Sequence, residues 1–205
     1  MIGLLALAAL CGCATAAKPA AENGDYVRES EVASQEDTSQ NEPLKVIDAH
    51  LHTDFNGQPE ETSKIMQTRE QLEREFAEAG VVGAISHAPA EGGPLGDTTG
   101  LNVVHCYGVQ AKVNVQKLEH ALKSRKYRCV KVYLGYEHQF AYDKGYAPVY
   151  RLARKYDVPV VFHTGDTYSS KGKLKYADPM TIDEVAVDHP DVTFVIAHCG
   201  NPWIQ

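Results

Sequence analysis

The sequence predicts an α/β fold of the (β/α)8, or TIM-barrel, type that is incomplete, with about six strands present. From residue 45 onward, short and almost wholly apolar runs alternate with amphipathic stretches, which is typical of a parallel sheet covered by helices. No glycine-rich phosphate loop follows the first strand, where a nucleotide-binding sheet carries one. Polar side chains recur where strands end, and barrel active sites are built at that edge.

The individual elements follow from periodicity and from start and stop signals. Thr68 is a capping residue before the first helix, Gly80 is its stop, and Pro148 suits the first turn of the third helix. The predicted strands are 46–52, 81–86, 101–107, 129–134, 158–163 and 192–198; the predicted helices are 68–80, 115–126, 147–157 and 181–189. Residues 89–100 are rich in Gly and Pro and predict a loop.

The first 13 residues, MIGLLALAALCGC, form an apolar run that is too short for a membrane-spanning helix, which needs about 20 residues. The run fits a secretory signal. Its last four residues, Leu10 to Cys13, resemble the bacterial lipobox, in which the final cysteine is lipidated. We therefore expect a lipoprotein signal peptide at 1–13, a lipid anchor to the membrane at Cys13 and a location in the bacterial cell envelope. The alternatives are an uncleaved apolar tail and a chance pattern.

Residues 14–43 contain hardly any large apolar side chain and predict a disordered tether. Residues 44–205 are assigned to the barrel. They number about 160, whereas an eight-stranded barrel typically needs about 250, so we expect a domain truncated at its C-terminus. The net charge of −7 and the absence of a basic stripe argue against a nucleic-acid partner.

Three cysteines fall in the barrel region, at Cys106, Cys129 and Cys199. They are widely spaced and include no Cys-x-x-Cys pair, so the sequence predicts buried free thiols rather than a disulfide framework.

A pair of histidines, His50 and His52, ends the first predicted strand in the stretch KVIDAHLHT. Residues two apart in a strand project from the same face, so both rings point toward one place. Neutral imidazole nitrogens are good ligands for zinc and similar ions, and two such rings can chelate one ion. The alternative is a pair that only makes local hydrogen bonds.

Two further histidines follow very apolar strands: His163 in PVVFHTGDT and His198 in FVIAHCG. A hydrogen-bonded core histidine is the ordinary explanation for either one alone. Their recurrence at the C-terminal ends of successive strands favours a shared metal site of His50, His52, His163 and His198.

These stretches, IDAHLHT, VPVVFHTGDT and VIAHCGNPW, resemble the amidohydrolase superfamily, and within it the amidohydrolase-related branch called amidohydrolase 2. The resemblance covers residues 46–204 and implies a divalent metal, most often zinc. It implies that His50, His52 and His163 bind the metal, and that His198 binds a second metal or polarises the substrate. In that superfamily an aspartate ending strand eight transfers the proton. No strand eight is visible in the 205 residues. Asp166 is expected to cap or orient His163, and Asp48 to support the site or lie in the barrel floor.

Lys131 is a second catalytic candidate beside His198, because it lies inside the apolar strand CVKVYL and an unpaired buried ammonium is costly. It has three interpretations: a carboxylated lysine that bridges two metals in binuclear superfamily members, a lysine that binds a substrate carboxylate, and a lysine whose stem reaches solvent. His87 and His105, near the ends of strands two and three, have two interpretations: residues that line the same mouth, or surface or structural residues, and the second is preferred. His120, His138 and His189 are interpreted as exposed.

The predicted function is hydrolysis of an amide, ester or lactone bond of a small-molecule substrate by metal-activated water. Two alternatives stay open. One is metal-dependent nonoxidative decarboxylation, which the same branch also carries out. The other is an inactive, lipid-tethered metal-binding chain.

Overall fold

The computed structural model of the protein describes residues 44–59, 64–93 and 95–203. The signal peptide and the tether predicted for residues 1–43 lie outside the described residues. Six strands are described: β1 (Val46–Leu51), β2 (Val81–Ala90), β3 (Val103–Val109), β4 (Cys129–Val132), β5 (Val160–His163) and β6 (Phe194–Ala197). An α-helix lies between each pair of successive strands except β2 and β3: α1 (Arg69–Ala79), α2 (Val115–Lys123), α3 (Ala147–Tyr156) and α4 (Thr181–Asp188). None of the helices in the described ranges has the length and apolarity needed to cross a membrane.

The sheet is wholly parallel, and each strand pairs with its neighbours in sequence, in the order β1-β2-β3-β4-β5-β6. This is the strand order of a TIM barrel, whereas a doubly wound sheet reverses direction at a switch point. The sheet is also curled. Although β1 and β6 lie at opposite margins, the rings of His50 and His198 at their ends are 4.5 Å apart. The predicted fold class, an incomplete barrel of α/β type, is confirmed.

The two faces of the sheet have different surroundings: one packs against the helices and the other faces the inside of the curl. On β4, Val130 and Val132 are fully buried in the core that the strands share with the helices. The alternating positions of β4, Cys129 and Lys131, face the inside of the curl. Cys129 belongs there to a small apolar floor with three further buried residues: Cys106, Val161 and Ala197. The ionisable residue of β4, Lys131, therefore lies on the inner face, beside this floor.

The element boundaries agree closely with the predictions at α1. The hydroxyl of Thr68 accepts a hydrogen bond from the Gln71 N–H, and Gly80 ends the helix in the left-handed region at φ 67°. Strand β2 is longer than predicted, because its ladder with β3 resumes beyond a bulge between His87 and Ala90. The predicted loop began at Pro89, but this proline lies within the irregular end of β2, where a bulge tolerates it.

The cysteine prediction is wrong. Cys106 and Cys129 form a disulfide, and only Cys199 is a free thiol among the described cysteines. Cys106 and Cys129 are register partners in neighbouring parallel strands, which brings them together although 23 residues separate them along the chain. Cys199 is exposed rather than buried.

Strands β2 and β4 are also joined across β3. The hydroxyl of Tyr133, just beyond β4, donates a hydrogen bond of 2.8 Å to the carbonyl of Ala88 on β2. The two groups meet above Gly108 of β3, where a Cβ would overlap the carbonyl oxygens of Ala88 and Pro89. A side chain at this position of β3 would therefore separate its two neighbours.

Candidate active site

The four histidines predicted as metal ligands lie together at the C-terminal ends of the strands. His50 is the penultimate residue of β1 and His52 follows this strand, His163 ends β5, and His198 follows β6. The ring centroids of His50 and His52 are 5.3 Å apart, those of His50 and His198 are 4.5 Å apart, and those of His163 and His198 are 4.8 Å apart. The curl of the sheet thus brings imidazoles from both margins and from the centre to one place.

Hydrogen bonds to carbonyl groups fix which ring nitrogen is free in two of these histidines. His52 Nδ1 is 2.9 Å from the carbonyl oxygen of His87, and His163 Nε2 is 2.9 Å from that of Asp166. A carbonyl only accepts, so each of these nitrogens carries the hydrogen. The lone pair is left on Nε2 of His52 and on Nδ1 of His163. Metal-binding histidines are oriented in this way by a carbonyl behind the ring.

The two aspartates suggested as supports act through local contacts. Asp166 orients His163, as expected, but through its main-chain carbonyl; its carboxylate accepts from the Thr167 N–H. The Asp48 carboxylate accepts from the main-chain N–H of His50 at 2.8 Å and so fixes the backbone that carries this ring. His198 has a φ of 68°, the left-handed region that few non-glycine residues adopt and that clusters at functional sites.

Desolvation by the surrounding atoms favours the neutral form of these rings, although His52 and His198 also contact solvent. Burial and then the positive charge of Lys131 lower the pKa of His50 to about 2, and burial lowers the pKa of His163 to about 4. Partial burial is also the main cause that lowers the pKa values of His52 and His198. Because only the unprotonated imidazole binds a metal, the set is in its ligand form near neutral pH.

Lys131 is fully buried, so the interpretation that its stem reaches solvent is wrong. Its ammonium nitrogen has no hydrogen-bond partner within the described part of the chain and lies 5.6 Å from the ring centroid of Tyr133. Burial lowers its pKa to about 7. Its positive charge lowers the pKa of His50, His87 and His198. Lys131 therefore lies beside the histidine cluster, the group formed by His50, His52, His163 and His198.

His87 is buried, which excludes the surface interpretation, and its ring lies beside that of His50. Its ring centroid is 4.4 Å from that of His50, its Nε2 is 3.3 Å from the carbonyl of Ala49, and its own carbonyl holds His52. The available signal was its position near the end of a strand, the same rule that selected His163. His105 lies apart, with Nε2 bonded to Thr98 Oγ1 at 3.0 Å, in keeping with a structural role.

The remaining histidines lie outside the cluster. His120 and His138 are exposed, as expected, whereas His189 is partly buried against the ring of Tyr150. The donor chemistry of the cluster fits a divalent ion, since two rings present oriented lone pairs. Even so, no three His, Cys, Asp or Glu side chains of the described residues are arranged as a formed metal site.

A cavity of about 270 Å³ opens beside His163 and His198. Its walls come from the loops after β5 and β6, and include Thr167, Tyr168 and Cys199. The ring of Tyr136 meets His163 edge-on, with centroids 4.9 Å apart, and its hydroxyl accepts from the N–H of Tyr168. Space for a small ligand therefore adjoins two rings of the cluster.

Comparison with known proteins supplies the family. The chain matches no curated protein. Among solved structures it is similar to a probable 2-pyrone-4,6-dicarboxylic acid hydrolase from Acinetobacter baumannii with citric acid bound, at 15% identity and a TM-score of 0.47. That match covers 78% of this chain and 59% of the other, so the chain spans less than two thirds of that protein's length. The profile of the amidohydrolase family matches residues 62–205, well over half of the chain, and the chain therefore belongs to the amidohydrolase family.

Proposed function

We propose that the protein is a metal-dependent hydrolase that cleaves an amide, ester or lactone bond with activated water. The observation that carries this proposal is the convergence of His50, His52, His163 and His198 at one end of the strands. Membership of the amidohydrolase family supports it.

In this proposal His50, His52 and His163 hold a divalent ion, and zinc is the proposed metal, since imidazole nitrogen is a preferred zinc ligand. A bound divalent ion lowers the pKa of a water ligand from about 15.7 to near 7 and polarises a carbonyl group. The hydrogen bonds of His52 and His163 to carbonyl groups keep their free lone pairs in place before the ion binds.

His198 and Lys131 are the proposed catalytic residues. The ring of His198 is exposed between those of His50 and His163, where it can contact a substrate carbonyl and stabilise the negative charge that develops on its oxygen. Lys131 supplies positive potential from below, in a buried place where such a charge acts strongly.

The decarboxylase alternative is favoured by one observation, the buried amine of Lys131 without a hydrogen-bond partner in the described residues. An unpaired cationic donor beside the cluster is suited to a substrate carboxylate. Hydrolysis remains the first proposal because it uses the histidine cluster without requiring the substrate to reach Lys131, which is fully buried.

We also propose that the protein works in the bacterial cell envelope, held by a lipid at Cys13. The disulfide supports this location, because disulfides form and persist in oxidising compartments and are rare in the cytosol. Release of the protein into the soluble fraction by Cys13→Ser would support the anchor, and an unchanged membrane fraction would count against it.

The test of function is metal content together with activity on a panel of amides, lactones and hydroxybenzoates. We expect near-stoichiometric zinc and hydrolysis, both lost in a His50→Ala/His52→Ala double variant. His120→Ala, an exposed histidine outside the cluster, is the matched control and retains both. Metal retained by the double variant would refute the site. Zinc without turnover of any substrate would favour the inactive metal-binding alternative, and carbon dioxide release from hydroxybenzoates the decarboxylase.

A further inference from the structure

A second cavity, of about 480 Å³, lies between the start of α1, the segment after β1 and the end of β2. His52 and His87 form part of its wall, so it borders the histidine cluster. It is separate from the smaller cavity beside His163 and His198, which has no lining residue in common with it.

The lining of this cavity is mainly apolar. Its large apolar contributors come from β1, the segment between β1 and α1, α1 itself and the loop after β2: Leu51, Phe55, Ile65, Met66, Leu72 and Leu95. Both its volume and its lining are those of cavities that bind small molecules, which typically measure about 300–1,000 Å³. Such a surface contributes affinity in proportion to the apolar area of ligand that it removes from water.

The wall formed by Phe55 is built by close packing. Phe55 has a φ of 44°, in the left-handed region, and a Cβ at Gly96 would overlap its ring. The same loop is held by a hydrogen bond of 2.8 Å between the hydroxyls of Thr53 and Ser86 and by one from the Gly96 N–H to the Thr53 carbonyl. The cavity is thus bounded by a fixed loop.

The charges around the cavity exclude one class of ligand. Two carboxylates, those of Asp54 and Glu75, are part of its lining, and the lining residues that the structure describes include no lysine or arginine. Glu75 accepts a hydrogen bond of 2.8 Å from the side chain of Gln71. An anionic group placed here would find no cationic partner in this lining and two like charges.

We propose that this cavity binds an uncharged, apolar part of the substrate, such as a medium-length acyl chain, while the reacting carbonyl lies on the side of His52. The inference rests on the proposed hydrolysis and adds the class of substrate: amides, esters or lactones with an apolar tail and no carboxylate at its far end. Each methylene that enters the cavity is expected to strengthen binding by about fourfold.

The test uses Met66, which lines the cavity, and Met180, which is exposed on another part of the surface. In protein labelled with carbon-13 at the methionine methyl groups, hexanamide is expected to shift the Met66 signal saturably and leave that of Met180 unchanged. Adipamate has the same chain with a carboxylate at its far end, and we expect it to bind at least tenfold more weakly. An unmoved Met66 signal, equal shifts at both methionines or equal binding of adipamate would each overturn the proposal.

A pair of matched variants tests the cavity by ligand-observed spectra. Met66→Trp is expected to narrow the cavity and weaken hexanamide binding at least fivefold, whereas Met180→Trp leaves it unchanged; equal binding to both variants would overturn the proposal.

Activity separates this inference from the proposed function. Saturable binding at Met66 without turnover of any amide or lactone supports the cavity and refutes hydrolysis. The opposite outcome is equal turnover of substrates with two-carbon and six-carbon acyl groups, changed to the same extent by Met66→Trp. That result supports hydrolysis and refutes the role of the cavity.

Discussion

The centre and the margins of the sheet differ in how deeply they are buried. All residues of β4 and β5 are buried, whereas on β6 Val195 is 42% and Ile196 49% exposed. The site draws on both regions: Lys131 and His163 come from the centre, and the other predicted ligands come from the marginal strands. The difference indicates that stability depends mainly on the centre, while assembly of the site depends on where the margins are held.

The largest expected effect is a core truncation at the centre. Phe162→Ala on β5 removes a fully buried ring and is expected to lower the free energy of unfolding by about 3–5 kcal/mol. The matched change at the margin, Ile196→Ala, is expected to cost about 0.5 kcal/mol or less, because half of that side chain is already exposed. Urea unfolding of both variants measures the difference; equal losses would remove the distinction between the two regions.

The disulfide adds a second stabilising element to the central strands. It closes a loop of 23 residues, for which the chain-entropy account predicts about 3 kcal/mol. We therefore expect a Cys106→Ala/Cys129→Ala variant to melt well below the parent. A reductant is expected to lower the melting temperature of the parent but not that of this variant. Cys199→Ala, the exposed free cysteine, serves as control and should melt like the parent.

A smaller effect, of opposite sign, is expected at Lys131. Burial lowers its pKa from 10.5 to about 7, so the unfolded chain binds more protons than the folded one between these values, and stability rises with pH across that window. Lys131→Met removes the unpaired amine and is expected to stabilise the metal-free protein by about 2 kcal/mol at pH 7. The gain should shrink as the pH approaches 10.

Urea unfolding at pH 7 and pH 9.5 measures this gain, with the exposed Lys112→Met as control. A gain that is the same at both pH values would show that the burial of the amine is not its cause.

The parts of the site that the sequence predicts are those with a local signal. His50, His52, His163 and His198 each end an apolar run, and the parallel arrangement of the strands places such ends at one edge. The strands themselves were predicted for the same reason, since their buried cores leave continuous apolar stretches. Lys131 was singled out by its place inside such a run, and its burial excludes one of the three interpretations, a stem that reaches solvent.

The contacts that the sequence does not predict depend on how the strands align with one another. Cys106 and Cys129 pair because the register of β3 and β4 sets them side by side, and a single chain carries no local mark of that register. The contact of His87 with His50 likewise depends on the pairing of β1 with β2. Sequence periodicity specifies which face a residue occupies but not which neighbour it meets.

The bond from the Tyr133 hydroxyl to the Ala88 carbonyl has a mechanical consequence. Ala88 is the residue after His87, whose carbonyl orients His52, and Tyr133 is two residues beyond Lys131. A ligand that rotates the tyrosine ring would therefore pull on the peptide behind the first pair of imidazoles. One phenol thus links two strands that do not pair with each other: β2, which carries the peptide that orients His52, and β4, which carries Lys131.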